Sequence, residues 1–241
     1  YSPDACRFAL ADAGDGMEDA NFDRKNADGA ILRLFVEEMT LKCWAAVLRG
    51  DMESAAALVG ESSSTDLPKF RSGSLEFMDR LFRARMYDCV HNAKDAYQSM
   101  RFRDALKYAF FELQIARDQY RENCSKLGLA LHEDIAREFM QIQATVIAPI
   151  CPHWSEEVWE AIGGAGSVTA ASWPDVPAPD QKVLASGVWL TNVAHNIRAE
   201  CAAVVKKAAK KGETIPEPNG VTIFTRSSFL DWQVTVLEVL A

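Results

Sequence analysis

Ala148-Pro149-Ile150-Cys151-Pro152-His153-Trp154-Ser155-Glu156-Glu157-Val158-Trp159 is the stretch on which the reading of this chain turns. Upstream, Ile135, Phe139, Ile142 and Val146 recur at steps of three or four, the spacing of one helix face. Pro149 and Pro152 interrupt that pattern, because proline lacks an amide donor and its ring clashes with the preceding turn. The pattern resumes at Val158, Trp159 and Ile162 and closes at Gly163-Gly164. The expectation is a helix over residues 131–162, kinked or broken at the prolines.

Further helices are expected on both sides. Residues 4–13 read as a short helix ended at Gly14, followed by a polar stretch with one apolar anchor, Phe22. From Asp28 to Leu48, Ile31, Leu34, Phe35, Met39, Leu41, Trp44 and Leu48 predict a helix with a broad buried face. Residues 49–73 shift in composition, with Gly50, Gly60, Gly73 and a serine-rich run, and read as an exposed insertion holding one small helix. Met78, Phe82, Met86, Val90, Ala93 and Tyr97 mark a helix over 75–99. Phe102, Leu106, Phe110, Leu113 and Tyr120 mark another over 101–122. So short a gap predicts an antiparallel hairpin. After a Gly/Pro loop over 163–180, Leu190, Val193, Ile197, Cys201, Val204 and Ala208 predict a long helix over 182–211. Residues 212–219 read as a linker. Val221-Thr222-Ile223-Phe224-Thr225 is the one strand signal, with a further helix expected over 229–240. The expected fold is an all-α antiparallel helical bundle followed by the start of a small α/β domain. Residues 1–25 serve as a connection, 26–211 as the helical domain, and 220–241 as the appendage, which looks truncated. Both ends look cut from something longer.

Composition narrows the function. No run of eighteen apolar residues exists, so no membrane partner is expected, and the opening residues do not resemble a signal peptide. Six cysteines without a C-x-x-C pair fit free thiols in a reducing, cytoplasmic setting. Cys151 and His153 lack a second metal-type pair and do not read as a zinc site. Neither a P-loop nor a G-x-G-x-x-G is present. The carboxylates Asp104, Asp118, Glu122, Glu37-Glu38 and Glu156-Glu157 fall at solvent-type helix positions. No catalytic residues, metal ligands or cofactor are therefore expected in this chain.

A net charge of -8 argues against a generic nucleic-acid binder, yet the charge is uneven. Residues 80–126 hold ten Lys/Arg against six Asp/Glu. Phosphate contacts need cations projecting from a rigid surface. Arg80, Arg83, Arg101, Arg103 and Lys107 are expected to share such a face, with Arg117 and Arg121 further along. Lys206, Lys207, Lys210 and Lys211 form a second basic run. The competing reading is a solvated helix exterior with ion pairs such as Asp118 with Arg121. The lysine run likewise suits a helix C-terminus electrostatically.

The proline-interrupted segment, with Ser172-Trp173-Pro174 after it, resembles the end of the helical anticodon-binding domain of class I aminoacyl-tRNA synthetases. The opening Tyr1-Ser2-Pro3-Asp4-Ala5-Cys6-Arg7 is similar to the segment that follows the lysine-rich KMSKS loop of that class. Ala11-Asp12-Ala13-Gly14-Asp15, Glu18-Asp19-Ala20-Asn21-Phe22, Phe77-Met78-Asp79-Arg80-Leu81-Phe82, Phe102-Arg103-Asp104-Ala105-Leu106-Lys107 and Phe110 through Arg121 resemble leucyl-tRNA synthetases of the eukaryotic cytosolic and archaeal branch. The matches keep their order over nearly the whole chain.

The resemblance implies a parent that joins leucine to its tRNA with ATP and Mg²⁺ through a leucyl-adenylate. Its catalytic and editing domains would precede Tyr1, and the present chain would contribute tRNA contacts. Expected partners are leucine tRNA, those domains of the same polypeptide, and other synthetases in a complex. Leucine tRNAs differ in anticodon, and this family does not depend on it, which implies contacts to backbone and shape rather than to base edges. Two alternatives stand beside this reading: a helical protein-interaction scaffold without RNA binding, and the same domain of an isoleucyl or valyl enzyme.

Overall fold

Ser2 opens the first helix: its hydroxyl accepts the Ala5 N–H at 3.2 Å ahead of Pro3, and α1 runs Pro3–Ala13. The computed structural model describes residues 1–16, 21–59, 67–211, 222 and 228–240. Asp23 caps α2 (Arg24–Leu48) through the Lys25 N–H, and α3 (Met52–Val59) follows. A capping box between Glu76 and Asp79 starts α4 (Phe77–Gln98). Next come α5 (Phe102–Leu106), a π-helical turn over Lys107–Glu112, and α6 (Leu113–Lys126). The remaining helices are α7 (Glu133–Ile147), α8 (Pro152–Ala161), α9 (Gln181–Lys211) and α10 (Asp231–Leu240). The chain divides into two compact units, Tyr1–Gly187 and Val188–Ala241.

The first unit is a mostly helical bundle around an aromatic core. Phe82 of α4 stacks on Tyr120 of α6 with centroids 4.7 Å apart, and Phe139 of α7 packs on both Phe82 and Trp44 of α2. Arg85 donates to the Gln119 side chain, so the start of α4 lies beside the end of α6, as an antiparallel hairpin requires. The hairpin turn closes through Met100, a left-handed residue with φ 55°, while the Arg101 N–H returns to the Ala96 carbonyl at 2.9 Å.

The prolines break the helix rather than kink it. α7 stops at Ile147, and α8 restarts with Pro152 at its first position, where the missing donor costs nothing. The N-terminus of α8, opened by the break, is buried against α1: Asp4 accepts the Trp154 N–H at 2.8 Å, and Trp154 packs edge-on to Phe110.

Four expectations need correction. Residues 101–126 do not form a regular helix; the π turn adds a residue between α5 and α6. That turn lets consecutive Phe110 and Phe111 both face Phe8 of α1, at 5.1 and 5.6 Å. Strand is not confined to the end of the chain, because Phe70–Arg71 (β1) pairs in parallel with Leu131–His132 (β2). Arg71 ties this pair to Ala130 and Ser74 carbonyls and to the buried Asp79 carboxylate. Glu37 is buried rather than solvated, and Ile31, Phe35 and Phe102 are exposed rather than inward. The linker at 212–219 and the strand at 221–225 lie outside the described residues, apart from Thr222.

Candidate nucleic-acid interface

A helix turns about 100° per residue, so Arg80, Arg83 and Lys94 fall on one side of α4, spread over about 21 Å of its axis. Arg80 and Lys94 are exposed and Arg83 half-buried, and none of the three has an ion-pair partner among the described residues. The buried face of the helix holds this row in place. There Leu81, Phe82, Met86, Val90 and Ala93 are buried, and Asp79 accepts both Arg71 and the Tyr120 hydroxyl, the latter at 2.6 Å. Tyr120 in turn accepts the His132 N–H at 2.8 Å. Lys94 escaped the sequence reading as a binding residue; the signal for it was its phase with Arg80 and Arg83.

Arg101, Arg103 and Lys107 do not join that row. About 27 Å of helix separates Arg80 from Gln98 at the hairpin turn, so the five cations expected to share a face occupy two ends of the hairpin. At the turn end, Arg101 is held between Asp95 and Asp104 and its charge is matched. Arg103 is exposed, and its backbone N–H is received by Asp15 at 2.8 Å, an anchor that also takes the Phe102 N–H at 2.9 Å. Lys107 is exposed, lies 4.0 Å from Glu112, and sits over the Tyr108 ring.

Arg117 leaves the set. It is 6% exposed and forms a buried ion pair with Glu37 of α2, with Asp118 as a second partner at 2.9 Å. Burial pushes the Glu37 carboxyl up from its ordinary range, against the opposing pull of Arg117. The apolar neighbours of α6 in the sequence carried no sign of this partner on another helix. Arg121 is exposed and meets Asp118 at 3.8 Å, the pair expected from spacing. In the second unit Lys206, Lys207 and Lys210 are exposed on α9, and Lys211 ends that helix.

The arrangement is suited to binding an extended anion. Unmatched cations along a rigid helix can meet successive phosphates, whereas base-edge readout needs bidentate polar groups entering a groove. Among the described residues, no group of three His, Cys, Asp or Glu side chains is placed to hold a metal ion, and no helix is long and apolar enough to cross a membrane.

Known proteins resemble this chain along its whole length. The chain is 35% identical to the cytoplasmic leucine-tRNA ligase of Neurospora crassa over 245 aligned residues, covering 100% of this chain and 20% of the relative. The corresponding figures for the cytoplasmic leucine-tRNA ligase of Saccharomyces cerevisiae are 35%, 100% and 20%. The leucine-tRNA ligase of Aeropyrum pernix is 30% identical over 78% of the chain and 17% of its own length. The chain thus spans about a fifth of the length of the curated relatives it matches. A family model described as the anticodon-binding domain of tRNA ligase matches residues 79–216, more than half of the chain, from the start of α4 past the end of α9. The chain belongs to the family of tRNA-ligase anticodon-binding domains.

Proposed function

We propose that this chain is the tRNA-docking helical portion of a leucine-tRNA ligase of the cytoplasmic type, supplying backbone contacts and no chemistry. The observation that carries this reading is the match of the whole chain to proteins of that name. The unmatched cations of α4 support it, because the chain is acidic overall and RNA affinity must come from a local surface.

In this reading Arg80, Arg83 and Lys94 track one strand of a tRNA stem, while Arg103 and Lys107 meet the RNA at the hairpin turn. The stacked Phe82–Tyr120 pair and the Asp79 network keep the row straight, so the RNA is positioned as well as attracted. Phosphate contacts do not distinguish sequence, so exchanging the anticodon of the leucine tRNA leaves binding unchanged. ATP and Mg²⁺, used to activate leucine, belong in this proposal to the parent sequence beyond this chain, and no step is assigned to them here. The cytoplasm is proposed as its compartment on the names of the relatives and the free thiols.

The test is tRNA binding by the intact parent across a salt series. Arg80→Ala and Arg103→Ala should each flatten the log–log salt dependence by about one unit for every phosphate no longer neutralised. Unchanged slopes for both variants would return these residues to the solvated-helix reading. Leucine-dependent pyrophosphate exchange by the 241-residue chain alone would overturn the claim that it carries no chemistry.

A further inference from the structure

Arg49 caps the end of α2 and Arg137 lies in the second turn of α7, and both side chains line one cleft of about 60 Å³. Arg49 donates to the Ala161 carbonyl at the end of α8, and Arg137 donates to the Leu48 carbonyl at the end of α2 at 3.0 Å. Ala45, Met140 and Ile162 give the cleft its apolar lining, and Gln141 adds an amide. A guanidinium has five N–H donors, so capping one carbonyl leaves most of them free. Capping also leaves two like charges sharing a small space, which is unfavourable unless an anion lies between them.

No carboxylate among the described residues supplies that anion. None lines the cleft, and neither arginine has an ion-pair partner there. Nearby carboxylates in the sequence are engaged elsewhere: Asp51 accepts the Ser54 N–H at 3.1 Å, and Glu138 accepts the Tyr87 hydroxyl at 2.6 Å. The two carbonyl anchors hold the guanidinium groups in place, so an incoming anion meets donors that are already positioned. The cleft has room for one phosphate group and none for a base or an aromatic side chain.

We propose that Arg49 and Arg137 together seat one phosphate of the RNA backbone, at a point separate from the cationic row of α4. Guanidinium forks match phosphate oxygens two at a time, and two forks over an apolar floor hold the group from both sides. Position selects RNA as the source of that phosphate. Tyr87 stands one turn after Arg83 on α4, and its hydroxyl reaches Glu138, the neighbour of Arg137 on α7. The row and the seat therefore lie on helices in contact, where a polymer of phosphates can meet both. The inference rests on the reading of the chain as the tRNA-docking portion of its parent.

Leucine tRNA binding by the intact parent, measured across salt, tests it with the double variant Arg49→Gln, Arg137→Gln, whose amides can still donate to the two carbonyls. Because both arginines serve one phosphate, the log–log slope should fall by about one unit for the pair together. An unchanged slope overturns the proposal. A fall of about two units also overturns it, since each arginine would then hold a phosphate of its own. Should the double variant fail to fold, the wild-type parent is treated with phenylglyoxal, which modifies accessible arginines, and the adducts are mapped by mass spectrometry. Bound tRNA should slow the modification of Arg49 and Arg137 alike, and undiminished reaction of either one overturns the proposal. Arg80→Ala in the same salt series separates the two readings. A slope flattened by Arg80→Ala but not by the pair removes the seat alone, and a parent that binds no leucine tRNA removes the docking reading with it.

Discussion

Asp4 of α1 and Trp154 of α8 are joined across the broken helix: the Asp4 carboxylate accepts the Trp154 backbone N–H at 2.8 Å. The same carboxylate meets His153 Nδ1 at 3.0 Å and Arg7 at 3.3 Å, and Asp4 is buried. A helix that starts at Pro152 has free N–H groups at its first turn, and a carboxylate there satisfies one while complementing the dipole. Without the break, α1 would have no such site to enter.

Asp4→Ala should therefore cost about 1–2 kcal/mol in urea unfolding, with Asp4→Asn milder because an amide oxygen still accepts one hydrogen bond. A variant as stable as the wild type would mean that α1 is held by Phe8 alone.

Arg117 and Arg121 lie four residues apart on α6, yet they should respond very differently. Arg117→Ala strands a buried carboxylate at Glu37 and should cost about 3–5 kcal/mol. Arg121→Ala, on the surface beside Asp118, should stay within about 0.5 kcal/mol. Equal losses from the two variants would contradict the buried pair.

Met100 holds a left-handed backbone at the hairpin turn, a conformation that disfavours any side chain with a Cβ. Met100→Gly should raise stability by about 0.5–1 kcal/mol, net of the extra entropy glycine has when unfolded. Met100→Ala keeps the strain and should give little. A destabilised glycine variant would show that the methionine side chain contributes packing at the turn.

Alkaline pH should loosen the first unit. Burial pushes the Cys89 thiol from its ordinary 9.0 up to about 12. Burial and the hydrogen bond to Glu138 move Tyr87 from 10.0 to about 12. In both cases the folded chain favours the neutral form. The stability each group contributes is fully present below its unfolded value and is lost as pH climbs toward 12. The urea midpoint should fall across that window. At mildly alkaline pH, Cys89 and Cys151, the latter also raised by burial, should resist alkylation until denaturant is added, while half-buried Cys6 and Cys201 react first. Rapid native alkylation of Cys89 would refute its burial.

The long helices were legible because their core residues obey one period. Phe82, Met86, Val90 and Ala93 of α4 are buried where the spacing puts them. An interruption at the two prolines was legible, because proline cannot continue a regular helix, but the sequence left a kink and a break both open, and the structure takes the break. The π turn was not, since one added residue looks like slack in a helical pattern rather than a change of pitch. A two-residue strand pair is shorter than any alternation can register. Glu37 and Arg117 find each other across 80 positions of sequence, a distance over which local spacing carries no information. The cationic row was half legible: Arg80 and Arg83 were named, but Lys94 needed the helix phase, and Arg101 needed its neighbours Asp95 and Asp104.

The six residues Lys107–Glu112 also determine what an insertion or deletion in this hairpin would do. Removing one residue there restores an ordinary α-helical pitch without breaking the helix, so the backbone accepts the change. The wider turn absorbs the extra residue, so the residues after it keep their faces relative to α4 when it is removed. Arg117 would stay opposite Glu37 and Tyr120 opposite Phe82 and Asp79, and the contact given up would be that of Phe110 or Phe111 with Phe8. A relative lacking that residue would therefore pair the same set of side chains across the hairpin, its α6 aligning with this one after a single-residue gap at the turn.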